Sequence, residues 1–394
     1  MSGAGPAAWR VLLAGVAPLV AVGLMVAWFL GGGSALFGTA VPPVEKLAFE
    51  RVIFRPQEIV LLVRNQGPAP MSVGQVLVND AIWDFSIAPG RGLERLGTAR
   101  IAIPYDWIEG EPYALDIVSG TGIRHRRLVD VATATPQATP GAFALFGLLG
   151  LYVGVIPVFL GLLWLPFLRA MPEGWMDFWI SLTVGLLLFL GLDTFEEAFG
   201  MLGRVPEFLG GFMLVAGGAI AAFLALTGVD RWMRGARAEA GPGLGLATLI
   251  AIGIGLHNLG EGLAIGAAYT LGEVALGSFL IVGFTLHNTT EGLAILSPLA
   301  GGRVPVGRLA MLGAIGGAPT ILGTWTGAFT YSDPLSLVFL GIGGGAILQV
   351  IRVLARARAG HGGSVVESLA RPRNLAGLLL GFLLMYATSL LVAA

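Results

Sequence analysis

The chain has 394 residues, of which 55% are apolar and only 12% charged, and its mean hydropathy is +0.82. Soluble globular chains carry about 25% charged residues, so the composition points to an integral membrane protein. A net charge of −1 and the absence of a basic surface argue against a nucleic-acid partner, and zero cysteines exclude disulfides, thiolate ligands and iron–sulfur clusters. Any metal site must use His, carboxylate, amide or water.

Taken in chain order, apolar runs of about 20 residues, long enough to cross a bilayer as helices, fall at nine places: 9–30, 142–168, 177–197, 208–230, 244–268, 275–297, 306–329, 335–355 and 375–393. The first belongs to residues 1–40 and reads as a retained N-terminal transmembrane anchor. The alternative is a signal peptide cleaved near Gly38-Thr39-Ala40, but the apolar stretch is longer than a usual signal core. Residues 41–138 differ in kind. Short β-branched runs such as "EIVLLVRNQGPAPMSVGQVLVND" are punctuated by turn signals at Gln66-Gly67-Pro68 and Pro89-Gly90, which predicts a small inserted β-sandwich. Residues 139–394 hold the other eight spans. The fold expected is therefore an all-α polytopic membrane protein, eight helices plus an anchor, with an inserted extracytoplasmic β domain.

Short loops give the orientation. Arg231, Arg234 and Arg237 follow the fourth span, Arg303 and Arg308 the sixth, and Arg352, Arg356, Arg358, Arg371 and Arg373 the eighth. Alternate loops carry few cations, so the positive-inside rule places the Arg-rich loops and the N-terminus in the cytoplasm. The β domain and the C-terminus then lie outside a cell (inner) membrane crossed several times.

The chemistry is concentrated in a tandem. "LHNLGEGLAIG" at 256–266 is followed by "LHNTTEGLAIL" at 286–296. Residues four apart share a helix face, so His257 projects with Glu261 and His287 with Glu291, with Asn258 and Asn288 at the border. A turn at Leu271-Gly272-Glu273 makes the two helices antiparallel neighbours. His257 then lies level with Glu291, and Glu261 with His287, near the membrane's middle. A charge there costs about 2.5–3.5 kcal/mol, and two facing carboxylates repel. A divalent cation removes both penalties, and nitrogen-plus-oxygen ligation suits Zn, Fe or Mn. The bland alternative is interhelical hydrogen bonding by polar residues, against which the matched duplication weighs. Gly262 and Gly292 leave room for a neighbouring helix or an ion path.

"GLDTFEEAFG" sets Asp193, Glu196 and Glu197 at the outer end of the third span, where they would gather cations at a pathway mouth. Pro298 and Pro319 are expected to kink the sixth and seventh spans. His361 and His125 read as ordinary solvated or cation-flanked residues.

The tandem closely resembles the paired metal-site motifs of the ZIP family of divalent metal transporters, above all its bacterial branch. The resemblance covers about 250 residues. It implies eight helices, alternating access of an elevator type, a homodimer, and inward transport of Zn²⁺ or another divalent transition metal as substrate, with no organic cofactor. Carried across, His257, Asn258, Glu261, His287, Asn288 and Glu291 would be the ligands. Three departures stand out. Gly260 and Thr290 replace the motif prolines, Thr320 in "GGAPTILGT" stands where the family often has a Glu, and the anchor and β domain lie outside the family plan. The missing carboxylate leaves one firm ion site. Two other classes fit less well: a membrane metal sensor signalling through the β domain, and an intramembrane metal hydrolase, which the Asn after each His disfavours because no general base remains. No enzymatic activity is expected.

Overall fold

The computed structural model describes residues 8–30, 44–129, 131–135, 137–172, 175–205, 209–240, 242–271, 274–299, 304–330, 332–359 and 364–393. The possible cleavage region at Gly38-Thr39-Ala40, the turn residues Gly272 and Glu273, and His361 lie outside them. The first helix, α1 (Ala8–Leu30), has Val16–Trp28 as its described apolar stretch.

Nine strands follow: β1 (Leu47–Arg55), β2 (Glu58–Asn65), β3 (Met71–Val78), β4 (Ala81–Trp83), β5 (Ser86–Ala88), β6 (Gly92–Leu93), β7 (Thr98–Pro104), β8 (Tyr113–Ser119) and β9 (Arg124–Val129). They pair antiparallel into two sheets, ordered β1-β2-β7-β5 and β4-β3-β8-β9, with β6 added beside β3. Local chemistry sets the turns. Pro56 and Gln57, the latter at φ 60°, join β1 to β2, and Asn79 and Asp80, both at positive φ, join β3 to β4. Alternating residues of both sheets, among them Phe54, Leu61, Ile101, Val76, Leu115 and Ile117, form one shared core, so the sandwich expected from the sequence is present. Asp116, fully buried on β8, is held by Arg124 and Arg126 of β9. Burial pushes its carboxyl upward, but the two guanidinium bonds outweigh that and leave its pKa below the usual carboxylate range.

The helical region begins at α2 (Pro140–Gly150), capped by Thr139. It continues through a π-helical turn (Leu151–Val155), α3 (Ile156–Leu162) and α4 (Leu165–Ala170). Then come α5 (Met176–Gly200), α6 (Gly211–Ala240), α7 (Pro242–Leu271), α8 (Val274–Leu296), α9 (Val306–Gly317), α10 (Pro319–Thr330), α11 (Asp333–Ala359), α12 (Val365–Leu369) and α13 (Pro372–Ala393). Among the described residues, seven helical segments are long and apolar enough to cross a membrane: Pro140–Ala170, Met176–Gly200, Gly211–Met233, Gly243–Tyr269, Val306–Thr330, Asp333–Arg356 and Pro372–Leu390. The chain is thus a polytopic membrane protein with a β domain. Of the nine expected spans, the remaining two correspond to α1 and to the 23-residue α8. The two prolines act differently from each other. Pro319 separates α9 from α10 within one span, whereas α8 stops at Leu296 and Pro298 sits in the short 3₁₀ turn that follows, ending the helix rather than bending it.

Glycine decides how the helices pack. A Cβ on Gly262 or Gly266 would stand 2.2 or 2.3 Å from the carbonyl oxygens of Thr320 and Thr324, and one on Gly323 or Gly327 would meet those of Leu259 and Leu263 at 2.2 and 2.1 Å. This reciprocal pair of small-residue stripes brings α7 and α10 into backbone contact. Gly161 and Gly292 do the same for α3 and α8. Comparable contacts join α5 to α13 and α6 to α11. Among the described residues, none closer than 3.0 Å to backbone joins α5, α6, α11 or α13 to the remaining helices. Between α7 and α11 the approach is looser, through the Val350 side chain against Gly253 and, at 3.2 Å, the His257 Cα against a Cβ on Gly343.

Candidate metal centre

Helices α7 and α8 are separated by two residues and cross-linked by their polar side chains, so they run antiparallel. Gly260 and Thr290 lie in unbroken helix, and the Thr290 hydroxyl donates to the His287 carbonyl at 2.6 Å. The expected crosswise register is observed. Glu261 Oε1 meets His287 Nε2 and, at 3.2 Å, His257 Nε2, while Glu261 Oε2 accepts from Asn288 Nδ2 at 3.1 Å. On the other diagonal, Asn258 Nδ2 donates to Glu291 Oε2 at 3.0 Å. All six residues are buried, none more than 7% exposed.

The two amides are oriented by backbone. Asn288 Nδ2 also donates to the Val153 carbonyl at 3.0 Å, inside the π-helical turn. Pro157, four residues on, has no N–H to give that carbonyl, which leaves it available. Asn258 Nδ2 donates likewise to the Gly316 carbonyl at 3.0 Å, just before the break at Pro319. With both nitrogens committed, each Oδ1 is left without a hydrogen-bond partner, and so is Glu291 Oε1. Buried polar atoms are normally satisfied. Three orphaned acceptors in one buried cluster fit a cation, and one ligand atom each from His257, His287 and Glu291 lie within 4.8 Å of one another.

Thr194 of α5 was not singled out by the sequence. Its hydroxyl donates to the Leu190 carbonyl at 2.7 Å, so toward His257 Nδ1, 3.2 Å away, it can only accept. That puts the imidazole hydrogen on Nδ1 and leaves Nε2 a lone pair. A lone pair facing a carboxylate oxygen at 3.2 Å is repulsive unless a proton or cation lies between. Thr194→Val is expected to lower metal affinity tenfold or more, the scale of lost outer-sphere partners, with Thr194→Ser restoring it. Isothermal titration with Zn²⁺ measures both.

Beside the cluster lies a narrow cavity of about 10 Å³, room for one water-sized sphere, lined by Asp193, Thr194 and Glu197 of α5, His257 and Glu261 of α7, and Phe339 and Gly343 of α11, among others. Of the three carboxylates expected along the pathway, Asp193 and Glu197 face this cavity. Glu196, one residue and about 100° round the helix from Glu197, is exposed and does not line it. Thr320 is fully buried with its hydroxyl unpartnered, against Gly154 of the π-helical turn and Gly262. It does not line the cavity. Gly262 and Gly292 accommodate helices rather than an ion path. From His257, the cavity extends toward the α7 end that contacts β1. On the other side Ile250, Ile254, Leu296, Ile347 and Val350 close over in a continuous apolar core. No protein-family model matches the chain, and no characterised protein is significantly similar to it.

Proposed function

We propose that the chain carries a divalent transition-metal cation across the cell (inner) membrane toward the cytoplasm, through the His257, Asn258, Glu261, His287, Asn288 and Glu291 cluster. The observation that carries this reading is the set of three orphaned acceptor oxygens beside two imidazoles, buried inside a membrane-type helix bundle. Zn²⁺, Fe²⁺ and Mn²⁺ all accept such nitrogen and oxygen donors. The resemblance of the tandem motif to ZIP transporters supports transport over static binding and favours a homodimer. Among the described residues, one three-residue grouping of this kind is present, which favours one ion.

Access is one-sided, with an acid-lined cavity toward the β domain and apolar packing opposite. Moving an ion requires that seal to shift. The glycine contacts supply two bodies that could move past each other, because the cluster and its backbone supports lie on helices of one group, while α5 and α11 of the other approach it across the narrow cavity through Asp193, Thr194, Glu197, Phe339 and Gly343. The test is Zn²⁺ uptake by proteoliposomes. Wild-type protein should accumulate metal, and His257→Ala should reduce the rate to that of empty vesicles. Binding without uptake at any pH or potential would overturn transport and favour a sensor that signals through the β domain.

A further inference from the structure

The β domain touches the helices at one place with consequences for access. A second cavity, of about 230 Å³, lies where the sandwich meets the bundle. Its walls are Lys46, Leu47, Ala48, Phe49, Glu50 and Gln66 from around β1 and Arg126 and Arg127 of β9, and its floor includes Gly203, just beyond α5, and Asp333, the first residue of α11. Those same two helices wall the narrow cavity next to the metal cluster. Gly203 follows Glu197 by six residues, and Asp333 precedes Phe339 by six, each a step of roughly 9 Å if helical. The two cavities therefore lie along the same pair of helices, the wide one outside the narrow one.

The β domain is also fastened to the other helix group. Residues leading from β9 to α2 are tied back by Phe54 N to Thr135 Oγ1 at 2.9 Å and Thr135 N to the Phe54 carbonyl at 3.0 Å, which leaves only a few free residues before α2. β1 in addition contacts α7. The domain thus spans both helix groups at the end where the narrow cavity opens.

We infer that this junctional cavity is the outer antechamber of the cation path, and that the β domain filters what reaches the cluster. The inference rests on the metal-site reading above. Its charged lining is mixed. Arg126 is neutralised by Asp116 and Asp80, Glu50 pairs with Arg64, and Lys46 and Asp333 each have partners. The Arg127 side chain has no hydrogen bond or ion pair among the described residues. A lone guanidinium in a confined antechamber repels an arriving hydrated dication and slows its admission, without touching the cluster where the ion settles.

The experiment is stopped-flow binding of Co²⁺ to the full-length protein in detergent, read from the d–d absorption of the bound ion, with His257→Ala as the control for site occupancy. Arg127→Glu should raise the association rate at least threefold at 10 mM salt and the dissociation rate by a similar factor, leaving the affinity of the cluster unchanged. Arg127→Gln should fall between. The variants should converge near 1 M salt, where screening acts within about 3 Å. Arg100→Glu, an exposed charge on β7 away from this cavity, should leave the rate as it is. Equal rates for Arg127→Glu and wild type, or an equal rise in Arg100→Glu, would overturn the antechamber while leaving the metal site standing. If no Co²⁺ signal depends on His257, both readings fall.

Discussion

Glu291→Gln is expected to weaken Zn²⁺ binding by more than about 100-fold and, in the metal-free protein, to raise thermal stability. The two signs follow from one atom. Glu291 Oε1 is a buried carboxylate oxygen with no donor, and an unsatisfied buried polar group costs about 1–3 kcal/mol, more when charged. Glutamine removes that charge from beside a second buried carboxylate and keeps an oxygen for Asn258. It also removes a charged ligand, a larger loss than the 10–100-fold typical of outer-sphere partners. Glu261→Gln should behave differently. Glu261 accepts from His287 and Asn288, so its replacement breaks bonds already made and lowers metal-free stability as well as affinity. Isothermal titration and thermal unfolding in excess chelator separate the two glutamates. If both variants were destabilised equally without metal, the carboxylates would be structural partners rather than an open ligand and a closed one.

Gly292→Val is expected to cost most or all of the folded protein. The built Cβ would lie 2.2 Å from the Val158 carbonyl oxygen and 2.8 Å from Gly161 Cα. Both are backbone, so no rotamer relieves the clash, and α3 and α8 must separate. Overpacking a core costs about 1–3 kcal/mol and occasionally more, and here the displaced helix also carries Glu291, a proposed ligand, and faces the Val153 carbonyl. The expected outcome is loss of monodisperse protein on size-exclusion chromatography. Gly217→Ala provides the contrast. Nothing lies within 4 Å of its added methyl, and replacing a mid-helix glycine gains about 0.5–1 kcal/mol. A folded, metal-binding Gly292→Val protein would show that α3 and α8 are not locked together.

The sequence carried the parts of the site that depend on spacing along one helix or between two joined by a short turn. Two copies of His-Asn-x-x-Glu thirty residues apart were enough to place His287 opposite Glu261 and His257 level with Glu291, though not to show Asn258 donating to Glu291. Strand alternation and turn residues likewise revealed the sandwich, because one face of each sheet is buried and the period is two. What stayed hidden came from distant parts of the chain. Thr194 reaches His257 across 63 residues and the Val153 carbonyl reaches Asn288 across 135. The only local signals were that Thr194 adjoins Asp193 and that Pro157 must free a carbonyl four residues back. Glu196 and Glu197 could not be told apart because α5 is buried on several sides in its apolar stretch, so hydrophobicity does not mark which edge faces the cavity. Among the described residues, seven segments meet the length and hydropathy requirement, and the other two of the nine expected spans correspond to α1 and α8.

The locking of both asparagine nitrogens onto backbone carbonyls has a consequence for ion valence. An aspartate at 258 or 288 would offer those carbonyls no donor, so the cluster is confined to the two negative charges of Glu261 and Glu291. With neutral imidazoles, a dication brings the filled cluster to zero, whereas Na⁺ or K⁺ would leave −1 and a trivalent ion +1. A region of low dielectric tolerates only the first without a large self-energy. Two amide side chains that contribute no charge would thereby favour an electroneutral filled cluster.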